Sequence, residues 1–414
     1  MTDDDVDSGG EPEEAPAAPV LREPRDGVPE PLTEPERLRL LAESLQSGRG
    51  PVALDAERAS GYRYSQRAYL VQLRRAGTGT ALIDPIALPD LSSIDGAIGD
   101  AEWILHAAGQ DLPCLAEVGL RPARLFDTEL AGRLLGDERV ALGTMVERHL
   151  GVALEKVHSA ADWSTRPLPY DWLVYAALDV ELLVDLRDVL GDELDRAGKA
   201  AWAEQEFEAV RLAGPPPPRV EPWRRTSGIH KLRSRRQLAA VRALWTARDE
   251  YAADRDIAPG RVLPDGAIIE AARVEPAGPR DLIALPVFGG PRQRRQVDRW
   301  FGALQAARAL PDSELPPTAG PSDGIPAPSR WRERDPAAAA RLAAARDVVT
   351  EVAAEHTVLA QNLLASDVVR RLCWQPPAPI TPVTIRDRLA ELGARPWQIE
   401  LTAGPLASAL APAG

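Results

Sequence analysis

The chain has 414 residues, of which 44% are hydrophobic, and it carries a formal net charge of −13 and two cysteines. This length favours two or three domains, and no run reaches the ~18–20 apolar residues that a membrane span needs. Cys114 and Cys373 form neither a disulfide framework nor a metal-binding spacing, and the acidic N-terminus has no secretory signal pattern. We therefore expect a cytoplasmic protein that does not contact membranes.

The charge is unevenly distributed along the chain. Residues 1–40 contain 12 acidic and 4 basic residues, whereas residues 219–300 contain 17 basic and 10 acidic residues. The acidic sum therefore does not exclude a nucleic-acid partner, because a basic segment can bind phosphates. A basic face that is merely solvated would give the same count.

Residues 1–30 are rich in Asp, Glu, Pro and Ala, a composition that predicts a disordered acidic tail. Thr33 and Glu36 then have the spacing of a capping box, which predicts the start of a short helix. Its apolar face would carry Leu38, Leu41 and Leu45.

Strand signals begin at Gly50. Runs at 51–55, 68–74 and 80–84 predict antiparallel strands, with a turn at Gly77-Thr-Gly79 between the second and the third. A further strand is predicted at 103–106, followed by helices at 110–118, 128–135, 142–150 and 170–190. Strands followed by alternating helices therefore predict an α/β or α+β domain that ends near residue 211.

The second half of the chain has a helical pattern. Gly214-Pro-Pro-Pro-Pro218 predicts a stiff linker within 212–229, because successive prolines keep the backbone extended. A helical domain is predicted over 230–310, and its first helix would place Leu238, Val241, Leu244 and Trp245 on one stripe. A second linker covers 311–332. Asp335 and Pro336 then begin a second helical domain over 333–414.

Four acidic residues suggest a metal site. Asp55 and Glu57 are one residue apart in a predicted strand, so they project to the same side, where a divalent cation would offset their repulsion. Asp111 lies where a strand passes into a helix, and Tyr175 and Asp179 share one helix face at i, i+4 spacing. Each residue alone has a structural explanation, such as a solvated strand edge, a first-turn carboxylate or a core tyrosine. The combination favours a metal-dependent site.

With this quartet the chain resembles the ribonuclease D family of 3′→5′ exonucleases, in the branch whose last motif is Tyr-x-x-x-Asp. The resemblance covers roughly residues 45–211 and includes Phe126-Asp127-Thr128, Asp162-Trp-Ser-Thr-Arg166-Pro167-Leu168 and Tyr175-Ala-Ala-Leu-Asp179-Val180. Residues 231–310 resemble the HRDC-type helical domain shared by helicases and ribonuclease D, most clearly in the segment from Arg255 to Leu263. Residues 333–410 resemble a more diverged copy of it. The fold that the resemblance implies is an α/β ribonuclease H-like exonuclease domain over 31–211, with a mixed sheet flanked by helices, followed by one or two all-α domains.

The resemblance also implies a set of roles. Two divalent ions, Mg²⁺ or Mn²⁺, would lie about 3.5–4 Å apart and stabilise the attacking and leaving oxygens of a phosphoryl displacement. Asp55 would contact both ions, Glu57 and Asp179 the first ion, and Asp111 the second. Tyr175 would position the attacking water, since a phenol with a pKa near 10 is a poor base at neutral pH.

Other polar residues are candidates for substrate contacts. His106, Lys156 and Arg166 could contact phosphates, with a core histidine and surface solvation as the alternatives. Arg233, Arg235 and Arg236, which follow the first linker, could bind the RNA backbone, and a basic solvated face is the almost equal alternative. Asp127 is best explained as a helix cap.

The function that the resemblance implies is a metal-dependent 3′→5′ exoribonuclease that releases nucleoside 5′-monophosphates. Transfer-RNA precursors and other structured RNAs with free 3′ ends would be its substrates, in maturation or turnover. The quartet does not distinguish RNA from DNA, so a DNA 3′→5′ exonuclease is the alternative. A third hypothesis is a nucleic-acid-binding module with vestigial activity. An incomplete quartet would favour it, and this quartet is complete.

Overall fold

The first half of the protein is built on a mixed β-sheet. A computed structural model describes residues 18–155, 161–321 and 323–411. Within it, strands β2 (Arg49–Arg58), β3 (Ala68–Ala76) and β4 (Gly79–Ile83) pair antiparallel, as the sequence predicts. Strands β5 (Glu102–Leu105) and β6 (Arg124–Asp127) continue the sheet in parallel, which gives the order β4-β3-β2-β5-β6. The carboxyl ends of β2, β5 and β6 thus meet at one edge, where sheets of this kind place ligands.

A two-stranded ribbon lies beside this sheet. Strand β1 (Val20–Leu21) pairs in parallel with β7 (Ala153–Leu154), and Arg25 forms ion pairs with Glu181 and Asp185. The disorder predicted for residues 1–30 therefore differs from the structure over residues 18–30. The reason is that backbone pairing with a distant strand compensates for the lack of large apolar side chains. Residues 1–17 of the predicted tail lie outside the described residues.

Helices surround the sheet, and their first member begins later than the capping box predicts. Helix α1 starts at Pro35, with Glu34 as N-cap and no side-chain cap hydrogen bond, so the capping box of Thr33 and Glu36 is wrong. Its buried face is Leu38, Leu41 and Leu45, as predicted. The helices of this half are α1 (Pro35–Ser47), α2 (Ser92–Ile98), α3 (Leu112–Glu117), α4 (Thr128–Leu135), α5 (Leu142–Leu150), α6 (Tyr170–Glu181), α7 (Leu183–Arg196) and α8 (Ala200–Leu212).

A helical module with its own hydrophobic core follows the proline-rich segment. Leu238, Val241 and Leu244 are buried on its first helix, and Trp245 packs against them as a partly buried side chain. Trp300 from the last helix of the module is fully buried in the same core. The helices are α9 (Arg235–Asp254), α10 (Pro259–Val262), α11 (Asp265–Val274), α12 (Pro279–Ile283), α13 (Pro291–Arg294) and α14 (Val297–Ala309).

The C-terminal module repeats this order of helices. Asp335 caps its long helix by accepting a hydrogen bond from the amide of Ala338, and Pro336 is the first helical residue, as predicted. The long, the short and the third helix begin at 235, 259 and 265 in one module and at 336, 360 and 366 in the other, a constant separation of 101 residues. The helices are α15 (Trp331–Arg334), α16 (Pro336–Glu355), α17 (Ala360–Leu363), α18 (Ser366–Trp374), α19 (Pro382–Glu391) and α20 (Pro396–Leu410).

Each helical module contacts the sheet domain through the turn that follows its long helix. Asp256 and Thr357, again 101 residues apart, have left-handed φ angles of 46° and 50° just after the long helices. The Asp256 carboxylate accepts hydrogen bonds from the amide of Ser65 and the hydroxyl of Tyr69. The Thr357 carbonyl accepts one from the ammonium group of Lys199. Equivalent turns of the two modules therefore contact the sheet domain at two different places.

The described helices include none that is both long and apolar enough to cross a membrane.

Candidate active site

Three of the four predicted carboxylates converge at the edge of the sheet. Asp55 and Glu57 lie near the end of β2, and Asp179 lies on α6, which packs across β2 and β3. One carboxylate oxygen from each of the three lies within 4.8 Å of the others. In the part of the chain that the structure describes, this is the group of acidic side chains that could hold a metal ion.

Asp111 is placed beside this group by a strained turn. After β5, Ala107 has a φ of 59°, which is unfavourable for a residue with a Cβ. The Asp127 carboxylate holds this turn, because it accepts hydrogen bonds from the amides of Ala107 and Ala108. The same carboxylate accepts from the amides of Glu129 and Leu130 at the start of α4, so the predicted helix cap is confirmed. Asp127 thus serves the fold and positions Asp111.

The four carboxyl groups are costly to ionise together in the protein when no cation is bound. Burial raises the pKa of Asp55 to about 6. Burial and then the charge of Asp55 raise the pKa of Asp111 to about 8. Burial, followed by the charges of Asp55, Asp179 and Asp111, raises the pKa of Glu57 well above its ordinary value. A divalent cation would offset this cost, and a set of carboxylate oxygens suits Mg²⁺ or Mn²⁺.

Tyr175 is a hydrogen-bond donor in this site. Its phenol is hydrogen-bonded to the carboxylate of Asp179, one helical turn further along α6. Burial, followed by the charges of Asp179, Glu57 and Asp55, raises the pKa of Tyr175 far above its ordinary value of about 10. The hydroxyl therefore keeps its proton and can orient a water molecule or a phosphate oxygen.

Two further residues contact the quartet and were not found from the sequence. Gln72 is fully buried on β3 opposite Asp55, and its amide donates a hydrogen bond of 2.8 Å to Asp55 Oδ2. One guanidinium nitrogen of Arg58 lies 3.7 Å from Asp111 Oδ1. The sequence offers a weak signal for Gln72, since it is the polar residue within the apolar run from Tyr69 to Leu73.

The comparisons with known proteins agree with this geometry. Residues 29–195 match the family model described as 3′-5′ exonuclease, residues 237–304 match the HRDC domain, and residues 324–410 match the 3′ to 5′ exonuclease C-terminal domain. Ribonuclease D of Granulibacter bethesdensis is 31% identical over 75% of this chain and 80% of its own. Ribonuclease D of Gluconacetobacter diazotrophicus is 30% identical over 86% of this chain and 90% of its own. The chain belongs to the ribonuclease D family.

Solved structures support the same assignment. A crystal structure of a protein from Bifidobacterium adolescentis is similar with a TM-score of 0.88 and 40% identity, over 95% of this chain and 99% of that chain. The crystal structure of Escherichia coli RNase D, described as an exoribonuclease involved in structured RNA processing, has a TM-score of 0.65 and 26% identity, over 88% of this chain and 98% of that chain. As a member of the ribonuclease D family, the protein is a 3′→5′ exoribonuclease, and 3′→5′ exonucleases of this kind depend on divalent metal ions.

Two predicted phosphate contacts of this ribonuclease D family member have structural partners. The guanidinium of Arg166 binds both oxygens of the buried Asp84 at 2.7 and 2.9 Å and also donates to the carbonyls of Tyr69 and Trp163. It therefore holds its loop against the sheet. The ring of His106 is half-buried and bonds the Thr128 hydroxyl at 2.9 Å. Lys156 lies outside the described residues.

Two of the three arginines predicted to bind RNA have hydrogen-bond partners within the protein. Arg235 donates to the carbonyls of Asp312 and Leu315, and Arg236 donates to the carbonyl of Leu310 and the carboxylate of Asp312. These two side chains fasten the segment after α14 to the start of α9, which the sequence could not show because the partners lie more than 70 residues away. Arg233 is exposed.

Proposed function

We propose that this ribonuclease hydrolyses the last phosphodiester bond of RNA with two divalent ions and releases nucleoside 5′-monophosphates. The observation that carries the proposal is the convergence of Asp55, Glu57 and Asp179 within 4.8 Å. Asp111 lies close enough for its charge and that of Asp55 to affect each other, which supports a second ion on that side.

Each residue of the site has a proposed role. Asp55 would contact both ions, Glu57 and Asp179 would complete the first ion site, and Asp111 would hold the second. Bound divalent ions make a water molecule more acidic and stabilise negative charge on phosphate oxygens. The hydroxyl of Tyr175 would donate a hydrogen bond that fixes the position of the attacking water. It is not the general base, because its raised pKa keeps it protonated.

The substrate proposal has a separate basis. Transfer-RNA precursors and other structured RNAs with free 3′ tails are proposed as substrates, because the related Escherichia coli enzyme is described as acting in structured RNA processing. Arg233 and His106 remain proposed contacts to the RNA. A cytoplasmic location remains a prediction from the sequence.

We also propose the domain division that the sequence predicts. It consists of an exonuclease domain over 31–211, an HRDC-like nucleic-acid-binding domain over 230–310 and a diverged second copy over 333–414. The constant separation of 101 residues between corresponding helices supports the relation between the two helical domains.

The experiment that tests the function uses a labelled hairpin with a single-stranded 3′ tail, prepared as RNA and as DNA. Each substrate is incubated with Mg²⁺, with Mn²⁺ or with a chelator. Asp179→Ala is compared with Asp188→Ala, a matched variant because Asp188 is an exposed aspartate on the next helix. Stepwise shortening of the RNA that is lost with chelator and in Asp179→Ala, but kept in Asp188→Ala, supports the proposal.

The other outcomes are equally informative. Preferential shortening of the DNA would replace the substrate proposal by a DNA 3′→5′ exonuclease. Full activity of Asp179→Ala would remove this carboxylate from the site, and binding without cleavage of either substrate would overturn the catalytic proposal.

A further inference from the structure

Arg58 is the positively charged side chain closest to the quartet among the described residues. It is the last residue of β2 and follows Glu57 directly. The register between β2 and β3 shifts between Glu57 and Arg58, where β3 contributes one extra residue, Tyr69. The long side chain of Arg58 reaches the acidic residues, and one guanidinium nitrogen lies 3.7 Å from Asp111 Oδ1.

The contact between Arg58 and Asp111 is partly shielded from water. The side chain of Arg58 is 25% exposed and that of Asp111 is 9% exposed, so their interaction is screened less than that of a surface pair. The charge of Arg58 also favours the ionised forms of Asp55 and Glu57. Arg58 therefore supplies the quartet with positive charge from within the protein, on the side of Asp111.

The distance between Arg58 and Asp111 is too long for a directed hydrogen bond. A guanidinium–carboxylate hydrogen bond is about 2.7–2.9 Å long, and the separation of 3.7 Å is clearly longer. Asp111 thus lies beside a positive charge without being fixed to it by a directed hydrogen bond. A divalent ion at Asp111 would be repelled by the guanidinium unless Arg58 found another partner, and a phosphate of bound RNA is a suitable one, since guanidinium groups bind phosphates in a bidentate manner.

We propose that Arg58 competes with a divalent ion for Asp111, so that the enzyme without RNA binds one ion tightly and the second ion only weakly. This inference rests on the proposed two-ion site and concerns how that site is filled. Binding of RNA draws Arg58 to a phosphate and frees Asp111 for the second ion. Arg58 is thus a positioning residue that couples the arrival of substrate to the completion of the site.

The test is a titration of the full chain with Mn²⁺ in the absence of RNA. Ion binding is measured by calorimetry and by the electron paramagnetic resonance of free Mn²⁺. The wild type should bind one ion tightly. Arg58→Gln should bind the second ion at least about tenfold more tightly than the wild type does, which corresponds to about 1.4 kcal/mol. Arg58→Lys keeps the charge and should behave like the wild type. Adding Asp111→Asn to Arg58→Gln should remove the gain.

Arg67→Gln is the matched control, because Arg67 lies on the segment that connects β2 to β3 and its charged partner is Asp256 of the neighbouring helical module. It should leave both ions unaffected. A wild type saturated with an RNA whose 3′-terminal linkage cannot be cleaved should bind the second ion as tightly as Arg58→Gln does without RNA.

Three results would overturn the inference. The first is equal affinity of the wild type and Arg58→Gln for the second ion. The second is an affinity of Arg58→Lys for this ion that matches that of Arg58→Gln. The third is a wild type that binds two ions tightly without RNA, which would leave the two-ion function intact. Failure of the proposed function is recognised separately, by cleavage that persists in the presence of chelator.

Discussion

Gln72 is the side chain that fixes the orientation of Asp55. Its buried amide donates to Asp55 Oδ2 at 2.8 Å from the neighbouring strand. Gln72→Leu removes this donor while filling a similar volume, so Asp55 can turn away from the position in which it binds an ion. We expect Mn²⁺ affinity and kcat to fall roughly 10- to 100-fold, the usual cost of losing a group that orients a metal ligand. Calorimetric titration and single-turnover cleavage measure the two effects.

Gln66→Leu is the control for this prediction. Gln66 is exposed, and its amide bonds the carbonyls of Tyr64 and Ser65. Both ion affinity and kcat should therefore stay near those of the wild type. A Gln72→Leu protein that binds Mn²⁺ as tightly as the wild type would show that Asp55 needs no support from β3.

Tyr175 gives a prediction about pH. Its raised pKa means that the phenol donates a hydrogen bond and does not ionise in the working range. Tyr175→Phe should therefore lower kcat and leave Mn²⁺ affinity almost unchanged. The ratio of wild-type to variant kcat should stay constant from about pH 7 to pH 10, because the ordinary phenol pKa near 10 is shifted upward. A ratio that changes over this range would indicate a phenolate in the reaction.

The site residues that could be predicted from the sequence are those with a local spacing. Asp55 with Glu57 and Tyr175 with Asp179 are separated by two and four residues in regular elements, and Asp111 follows a short strand. Gln72 and Arg58 could not be found in this way. The contact of Gln72 depends on the register of β2 with β3, and that of Arg58 depends on the pairing of β2 with β5, which brings Asp111 close; both are properties of the pairing of distant segments.

At the scale of secondary structure, Asp127 connects a helix cap to the placement of Asp111. Its Oδ1 accepts from the amides of Ala107, Glu129 and Leu130, and its Oδ2 accepts from Ala108. Asp127→Ala should lower the free energy of unfolding by about 1–3 kcal/mol, because buried amides lose their acceptors. It should also weaken binding of the second Mn²⁺ ion. Urea denaturation and Mn²⁺ titration with bound RNA measure these effects.

Two variants make this prediction specific. Asp127→Asn can keep the three bonds to Oδ1 and should cost less than Asp127→Ala. Asp335→Ala removes an N-cap far from the site, on α16, and should cost about 0.5–2 kcal/mol without any change in Mn²⁺ binding. Equal Mn²⁺ binding by Asp127→Ala and the wild type would show that the turn at Ala107 holds its shape without the cap.

Helices α5 and α7 are joined by a histidine whose charge should affect stability. His149 is bonded to Asp137 at 2.9 Å and lies 3.2 Å from Glu193, while Arg148 also pairs with Asp137. The hydrogen bond to Asp137 is the main cause that raises the pKa of His149 above its ordinary value. A raised pKa in the folded state means that protonated His149 stabilises the protein fully below about pH 6.5 and loses this effect as the pH rises through the folded pKa.

The comparison of wild type with His149→Gln isolates this effect, since both proteins carry the same titrating quartet. The difference in unfolding free energy between them should be larger at pH 6 than at pH 9 by urea denaturation. An equal difference at both values would mean that His149 stabilises by packing and neutral hydrogen bonds alone.

The elements that sequence patterns missed are those defined by their neighbours. A single helix was predicted over 170–190, but α6 ends at Glu181 and α7 begins at Leu183. The apolar pattern continues through the break because Val180 and Leu182 are buried in the same core as the apolar face of α7. Strand β6 was missed because it has only two consecutive apolar residues, Leu125 and Phe126, whereas the equally short β5 has three, and parallel pairing with β5 stabilises it. Periodicity describes burial, and it is insensitive to where hydrogen bonding changes.

At the scale of the whole molecule, the two helical modules are integrated differently. The first has a core of its own, whereas the core of the C-terminal module is continuous with that of the sheet domain. Trp397 stacks on Trp202 with ring centroids 4.8 Å apart, and its indole donates to Glu206. Gly136, with a φ of 90°, allows the backbone of Thr357 so close that a Cβ would lie 2.8 Å from its carbonyl oxygen. The sequence shows a proline-rich separation before this module and gives no sign of this fusion.

The shared core predicts which part of the protein a tryptophan supports. Trp397 and Trp300 are both almost fully buried, at 2% and 0% exposure, but they lie in the continuous core and in the separate core, respectively. Trp397→Ala should cost about 3–5 kcal/mol of stability in the unit that contains the quartet. The urea midpoint for loss of nuclease activity should therefore fall markedly. Trp300→Ala removes the same volume from the separate core. It should lower the urea midpoint of a helical unfolding transition measured by circular dichroism and should shift the activity midpoint less. Equal activity midpoints for the two variants would mean that the sheet domain and the two helical modules unfold as one cooperative unit. The separate core of the first module would then be energetically coupled to the site through contacts such as that of Asp256 with Tyr69.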